Sequence, residues 1–238
     1  MMINKIIDTI LPSRCFSCGI IVSDPFALCT SCWQDVKFLT PPYCDICAMP
    51  LPFPSEEAQK CGKCLTDPPI FERIRAAVQY NDMTGKMVMR LKYAGQIGMA
   101  VLMARQLAKY AEQEGEEALL VPVPLHWTRM LRRTYNQSAL IAQHLSTITG
   151  QKYDPFILKR RVATKSLKGM SGKQRGEMVG RAFEINKAHR AKLAGATIIL
   201  IDDVLTSGAT SRACAKTLLK AGAKNIILLS WARVMSAA

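Results

Sequence analysis

Apolar positions along this chain fall into short blocks separated by polar turns. The run Thr197–Ile201 is continuous and short, as expected of a strand buried on both faces. Ile74–Tyr80, Leu119–Val123 and Asn225–Val234 have the same character. Between these blocks the apolar spacing becomes helical over Thr84–Leu91 and Gly98–Tyr110. It is helical again from Tyr135-Asn136-Gln137 to Ser146, and over Arg212–Lys220, where Gly222 is placed as the stop. Strands alternating with helices predict an α/β fold with a mostly parallel sheet. Glu112–Glu117 is predicted to be a solvated acidic turn. Ile3, Ile6, Ile7, Ile10 and Leu11 share one helical face and predict a short amphipathic helix docked on the protein.

The first 69 residues do not follow that alternation. They are rich in Pro and loop residues, and Pro68-Pro69 closes them. They contain eight of the nine cysteines, as four pairs: Cys15/Cys18, Cys29/Cys32, Cys44/Cys47 and Cys61/Cys64. A Cys-x-x-Cys turn lets two thiolates chelate one metal, and two such knuckles complete a tetrahedral site. Eight cysteines therefore make two structural zinc sites, since four sulfur ligands leave no open position for catalysis. Without metal so short a segment could hardly bury a core. Sequential pairing of the knuckles is favoured over interleaved. Cys214, on a helix far downstream, reads as a packing residue.

The chemistry concentrates after Ile201. Two carboxylates, Asp202 and Asp203, are followed by Thr206, Ser207, Gly208, Ala209 and Thr210 and then a helix. In open α/β sheets ligands bind at that strand edge. Small residues let backbone N–H groups converge on an anion, and the helix N-terminus adds partial positive charge. Carboxylates beside a phosphate loop make sense when the ligand also offers hydroxyls or a divalent cation. A sugar phosphate with vicinal hydroxyls satisfies both halves. No Gly-x4-Gly-Lys-Ser/Thr loop is present. His126, in the loop after the second strand, has no partner in sequence and reads as a loop or interface histidine.

Charge changes the picture further. The formal net charge is +14. Residues 1–69 carry five Lys/Arg against seven Asp/Glu, whereas residues 122–181 carry twelve against two. That excess suggests a polyanionic partner, nucleic acid first. Arg129, Arg132, Arg133, Lys168, Lys173 and Arg175 are the leading contacts. No apolar run approaches the ~18 residues needed to span a bilayer. The N-terminus lacks a secretory pattern, so a cytoplasmic protein with reduced thiols is expected.

The stretch IDDVLTSGAT resembles the phosphoribosyl-pyrophosphate (PRPP) motif of type I phosphoribosyltransferases. The resemblance implies that Asp202 and Asp203 meet ribose hydroxyls and that Thr206–Thr210 wrap the 5′-phosphate. It also implies that the loop after the second strand, at Pro124 and Leu125, holds the pyrophosphate, and that Mg2+ accompanies PRPP. More narrowly, VPVPLHWTRMLRRTYNQSALIAQHL, NDMTGKMVMRLKYAG and the cysteine pairs resemble the ComF (competence protein F/GntX) family over essentially the whole chain. Thr134 stands where that family has Gly. The resemblance implies that the segment 159–183 forms a mobile catalytic loop; within it Arg161, Thr164, Gly169, Ser171, Arg175, Ala182 and Phe183 match the family pattern, while Leu167 and Met178 depart from it.

The resemblance implies a double zinc-ribbon module over 1–69 and a phosphoribosyltransferase-like domain over 70–238. It implies a protein that binds PRPP, or another ribose 5-phosphate ligand, and handles incoming single-stranded DNA in natural transformation, with other DNA-uptake proteins as further partners. The alternatives are an active phosphoribosyltransferase in nucleotide or cofactor metabolism, or a GntX-like protein of nutrient use. No segment dedicated to enclosing a nucleobase is evident, so no catalytic residue is assigned and turnover stays open.

Overall fold

The computed structural model describes residues 12–54, 57–161 and 182–235. The predicted N-terminal helix, and Lys168, Lys173 and Arg175, lie outside the described residues. The core is a parallel sheet of β1 (Arg73–Gln79), β2 (Leu119–Pro122), β5 (Thr197–Leu205) and β6 (Asn225–Arg233), in the order β1-β6-β5-β2. Ile199 aligns with Ile227 and Leu120, and Arg75 aligns with Leu229.

Both faces of the sheet are covered, so both sets of alternating side chains are apolar. Ile199, Ile201, Ile227, Leu229 and Trp231 pack under α3 (Asp82–Tyr93), α4 (Met99–Glu112) and α6 (Gln137–Thr149). Ile198, Leu200, Ile226 and Leu228 pack under α7 (Ala209–Lys220). Cys214 is fully buried there, as expected of a packing residue. α3 begins with a reciprocal cap, Asn81 Oδ1 accepting from Thr84 N while Thr84 Oγ1 accepts from Asn81 N.

The N-terminal segment contains two short helices, α1 (Thr30–Gln34) and α2 (Gly62–Thr66), each carrying the second cysteine of a pair. It packs along β1, the strand at one edge of the sheet. Leu39 N donates to Ala77 O at 3.0 Å, Gln79 N to Lys37 O at 2.8 Å, and Ile74 N to Ile46 O at 2.7 Å. The exposed edge of a sheet is thereby paired and covered.

Four features differ from the sequence expectation. β5 continues to Leu205, so Asp202 and Asp203 lie within the strand, because Val204 and Leu205 pair with Ala232 and Arg233. A seven-residue helix, α5 (Trp127–Arg133), occupies what reads as loop. An antiparallel ribbon, β3 (Leu158–Arg160) with β4 (Phe183–Ile185), flanks the undescribed residues 162–181. The acidic turn is not wholly solvated: Glu114 is nearly buried and ion-paired with Arg73 at 2.6 Å.

Candidate functional site: a polar cleft at the strand ends

The eight paired cysteines form two sets, Cys15/Cys18/Cys29/Cys32 and Cys44/Cys47/Cys61/Cys64, with sulfurs within 4.8 Å of one another in each. The pairing is sequential, as favoured from sequence. Cys18 and Cys29 Sγ are 3.6 Å apart, as are Cys47 and Cys61 Sγ. Four ligands at ~2.3 Å around one zinc would stand about 3.8 Å apart, so both sets fit that ion, and all eight thiols are free of disulfides. The Ser31 hydroxyl and the Cys32 amide lower the Cys29 thiol to about 6, favouring the thiolate that a metal binds.

The second site lies at the C-terminal ends of β2 and β5. A cleft of about 410 Å³ is lined there by Pro124, Leu125, Asp202, Asp203 and the loop Thr206–Thr210. These are all nine residues that the sequence analysis assigned to one ligand, brought together from two strands and a helix start. Gly208 adopts φ +70°, a conformation that favours glycine, and caps α7. Arg212 Nη2 donates to Ser207 O at 2.6 Å and holds the loop. Asn136 caps α6 through Ser138 N and donates to Val123 O at 3.0 Å, fixing the second strand's exit.

The two carboxylates have different surroundings. Asp202 accepts from Ser138 Oγ and Ser211 Oγ, each at 3.3 Å, and from Asp203 N at 2.9 Å. Burial and the adjacent Asp203 carboxylate push its pKa up to about 7. Asp203 is only 7% exposed and faces the Lys92 ammonium, with Nζ 2.7 Å from Oδ2.

Of the predicted nucleic-acid contacts, Arg129 and Arg133 line the same cleft. The structure describes only the backbone of Arg132, in α5. Arg160, from β3, also lines it; burial and then the charge of Arg129 lower its pKa. His126 is buried and caps α5, its Nδ1 accepting from Thr128 N. Sequence reasoning missed Lys92, Gln137 and Arg160 as cleft residues. Lys92 and Gln137 lie in stretches quoted for the family resemblance, which gave them no role.

The double zinc ribbon domain family matches residues 6–65. Competence protein F of Haemophilus influenzae is 30% identical over 227 residues, covering 92% of this chain and 96% of that protein. The chain belongs to the competence protein F family. Two further relatives of that family are DNA utilization protein YhgH of Salmonella typhimurium (27% identity; 91% of this chain, 95% of that protein) and competence protein ComFC of Bacillus subtilis (26%; 82% and 79%). Among solved structures, glutamine PRPP amidotransferase from B. subtilis matches 60% of this chain at 20% identity and a TM-score of 0.40. The chain spans 30% of that structure's length. Among the described residues, no helix is long and apolar enough to cross a membrane.

Proposed function

We propose that this competence protein F relative binds PRPP, with Mg2+, in the cleft at the ends of β2 and β5, and that it acts on single-stranded DNA in a cytoplasmic setting. The observation carrying the first half is the convergence on one cleft of the two carboxylates, the Thr206–Thr210 loop and the Pro124–Leu125 turn. Asp202 and Asp203 would accept from ribose hydroxyls. The small-residue loop and the start of α7 would take the 5′-phosphate. Removing both carboxylates by Asp202→Ala with Asp203→Ala deletes charge-assisted hydrogen bonds worth roughly 1.5–3 kcal/mol each. Calorimetry with Mg2+ and PRPP should show binding to the wild-type protein and none to the folded double variant. Equal affinities would refute these roles.

The DNA half is supported by the names of the relatives, competence and DNA utilization, and by the arginines on α5. Trp127 on that helix is 63% exposed, which suits a base stacking beside phosphate contacts. Binding should be largely sequence-independent and fall with salt, with a slope of about −0.7 per phosphate neutralised. Changing Arg129 and Arg133 to Glu should weaken binding and flatten that slope in a fluorescence-anisotropy salt series. An unchanged slope would remove α5 from the interface.

A second reading, phosphoribosyl transfer, is favoured by Asp202, whose pKa near 7 lets it exchange a proton at neutral pH. Its test is release of pyrophosphate from PRPP, with and without candidate amine or base acceptors.

A further inference from the structure

The far end of the sheet carries a second concentration of positive charge that the strand-end cleft does not use. A 3-10 helix, Lys187–Leu193, leads into the N-terminal end of β5 and bears Lys187, His189, Arg190 and Lys192. No Asp or Glu occurs between Glu184 and Asp202. Lys187, Arg190 and Lys192 are exposed. Lys192 and Asp154 line a cavity with Leu119 and Thr197, the first residues of β2 and β5, so this surface lies opposite the cleft.

An aromatic ring stands among these cations. Phe156 is 64% exposed, and its ring centre lies 6.1 Å from that of His189, at an interplanar angle of 54°. The backbone that presents it is held on both sides: Phe156 N donates to Asp154 Oδ1 at 2.9 Å, and Asn186 N donates to Ile157 O at 2.8 Å. Asp154 is buried, and its Oδ2 accepts from His189 Nδ1 at 2.6 Å and from Lys192 Nζ at 2.7 Å. One buried carboxylate therefore anchors the imidazole, the ammonium and the Phe156 backbone together. The neighbouring acids are occupied, Glu117 by Lys152 at 3.5 Å and Glu184 by Arg161 at 3.3 Å. Lys187 and Arg190 have no carboxylate partner among the described residues. An open ring beside unpaired cations suits a chain of phosphates whose bases expose their π-faces. A duplex keeps its bases stacked inside and could use the cations but not the ring.

We propose that Phe156, flanked by Lys187 and Arg190, is a stacking platform for single-stranded nucleic acid at the opposite end of the sheet from the cleft and α5. The inference rests on the single-stranded DNA reading and extends it to a surface that reading leaves out. An unpaired base lies on the open face of Phe156, and adjacent phosphates meet Lys187 and Arg190. Asp154 positions the platform without touching the strand. Lys187 and Arg190 fall outside the basic block 122–181, so only the fold brings them to Phe156.

The test is fluorescence anisotropy on the zinc-loaded full chain with two probes of equal length: oligothymidine, and the same sugar–phosphate strand without bases. Phe156→Ala should weaken oligothymidine about ten-fold and the abasic strand less than about two-fold. Phe156→Trp should restore oligothymidine binding. Lys187→Gln with Arg190→Gln should weaken both probes and reduce the salt slope by about 1.4, two phosphates at about 0.7 each. Equal losses for the two probes on Phe156→Ala, or unchanged oligothymidine affinity in both variants, would overturn the platform while leaving the DNA reading at α5 intact. Anionic phospholipid vesicles are a third probe, and losses confined to them would overturn the platform in favour of a membrane contact. A wild-type protein that binds neither strand would overturn both the platform and the DNA reading.

Discussion

The seam that the cysteine module forms with β1, α3 and the end of β6, and the cleft at the strand ends, are both polar, but their polar groups have different fates. At the seam, side chains end on backbone carbonyls. Arg75 is buried, and its Nη1 donates to Asp45 O and Ile74 O, each at 2.8 Å, while its guanidinium lies 5.1 Å from the Tyr43 ring centre. Arg90 donates to Phe16 O and Ser17 O, and Arg233 to Cys47 O. In the cleft, by contrast, Asp202 is pushed up to about 7 and the buried Gln137 Nε2 has no hydrogen-bond partner among the described residues. Polar groups partnered within the fold hold it together; polar groups left unpartnered in a concave space mark what the fold holds for a ligand.

The comparison is broken most severely by removing metal. Cys15, Cys29 and Cys32 belong to the apolar core on one face of the sheet, and Cys44, Cys47 and Cys64 to the core on the other. The module thus straddles the β1 edge and contributes to both layers. Chelation, or Cys44→Ser, should lower the unfolding temperature of the whole chain by on the order of 10 °C or more. Calorimetry should show one transition shifting as a unit. If only a small separate transition disappears, the seam is a weak contact. Elemental analysis of the untreated protein should give two zinc ions per chain. Because β1 needs its cover, residues 70–238 alone should be poorly soluble, which makes that fragment a poor vehicle for measuring DNA affinity.

A milder break is Arg75→Met, which strands the Asp45 and Ile74 carbonyls. It should cost about 3 kcal/mol in denaturant unfolding and leave the PRPP affinity of the folded protein unchanged. A large affinity loss at matched stability would show the seam acting on the cleft.

Protonation sharpens the contrast. Asp202 is raised to about 7 from the usual 3.8, so the folded protein keeps a proton that the unfolded chain loses. Its contribution is therefore most favourable at low pH and declines as pH rises from about 4 to about 7. Cation-assisted ligand binding needs the carboxylate, so PRPP affinity should rise about ten-fold between pH 6 and pH 8. Asp154, near the opposite end of β2, has the other sign. Burial would raise it, but Lys192, His189 and the Phe156 N–H together hold it below the usual carboxylate range. Its stabilisation is present above the unfolded value and is lost as pH falls through the folded one. Asp154→Asn should remove that acid-side loss and leave the rise in PRPP affinity untouched.

The smallest effect is expected at Thr134, which ends α5 with φ +65°. A β-branched residue is strained there. Thr134→Gly should raise stability by about 0.5–1 kcal/mol, the relief being offset in part by glycine's freedom in the unfolded chain. A loss of stability would mean that the Thr134 side chain does more than tolerate the turn.

Several parts of this molecule were legible because their physics is local. Four Cys-x-x-Cys turns imply knuckles wherever they occur, and both sites formed as spaced. A continuous apolar run followed by acids, small residues and a helix implies a strand-edge site, and its residues do line one cleft. The limits of β5 were misjudged because two adjacent aspartates look like the end of a strand. Pairing with β6 carries the strand past them.

By itself the sequence determined the cysteine chelation, the strand–helix alternation and the acid-plus-loop segment, since each depends on neighbours a few residues away. Only the tertiary structure decided that Lys92 faces Asp203, that Arg133 bridges Tyr93 and Gln137, and that the cysteine module covers β1. The Arg133–Tyr93 and Lys92–Asp203 contacts join residues 40 and 111 positions apart, and their partners are chosen by how helices pack on the sheet. Residue spacing records the period of one element. It does not record which buried group is left without a partner when several elements meet.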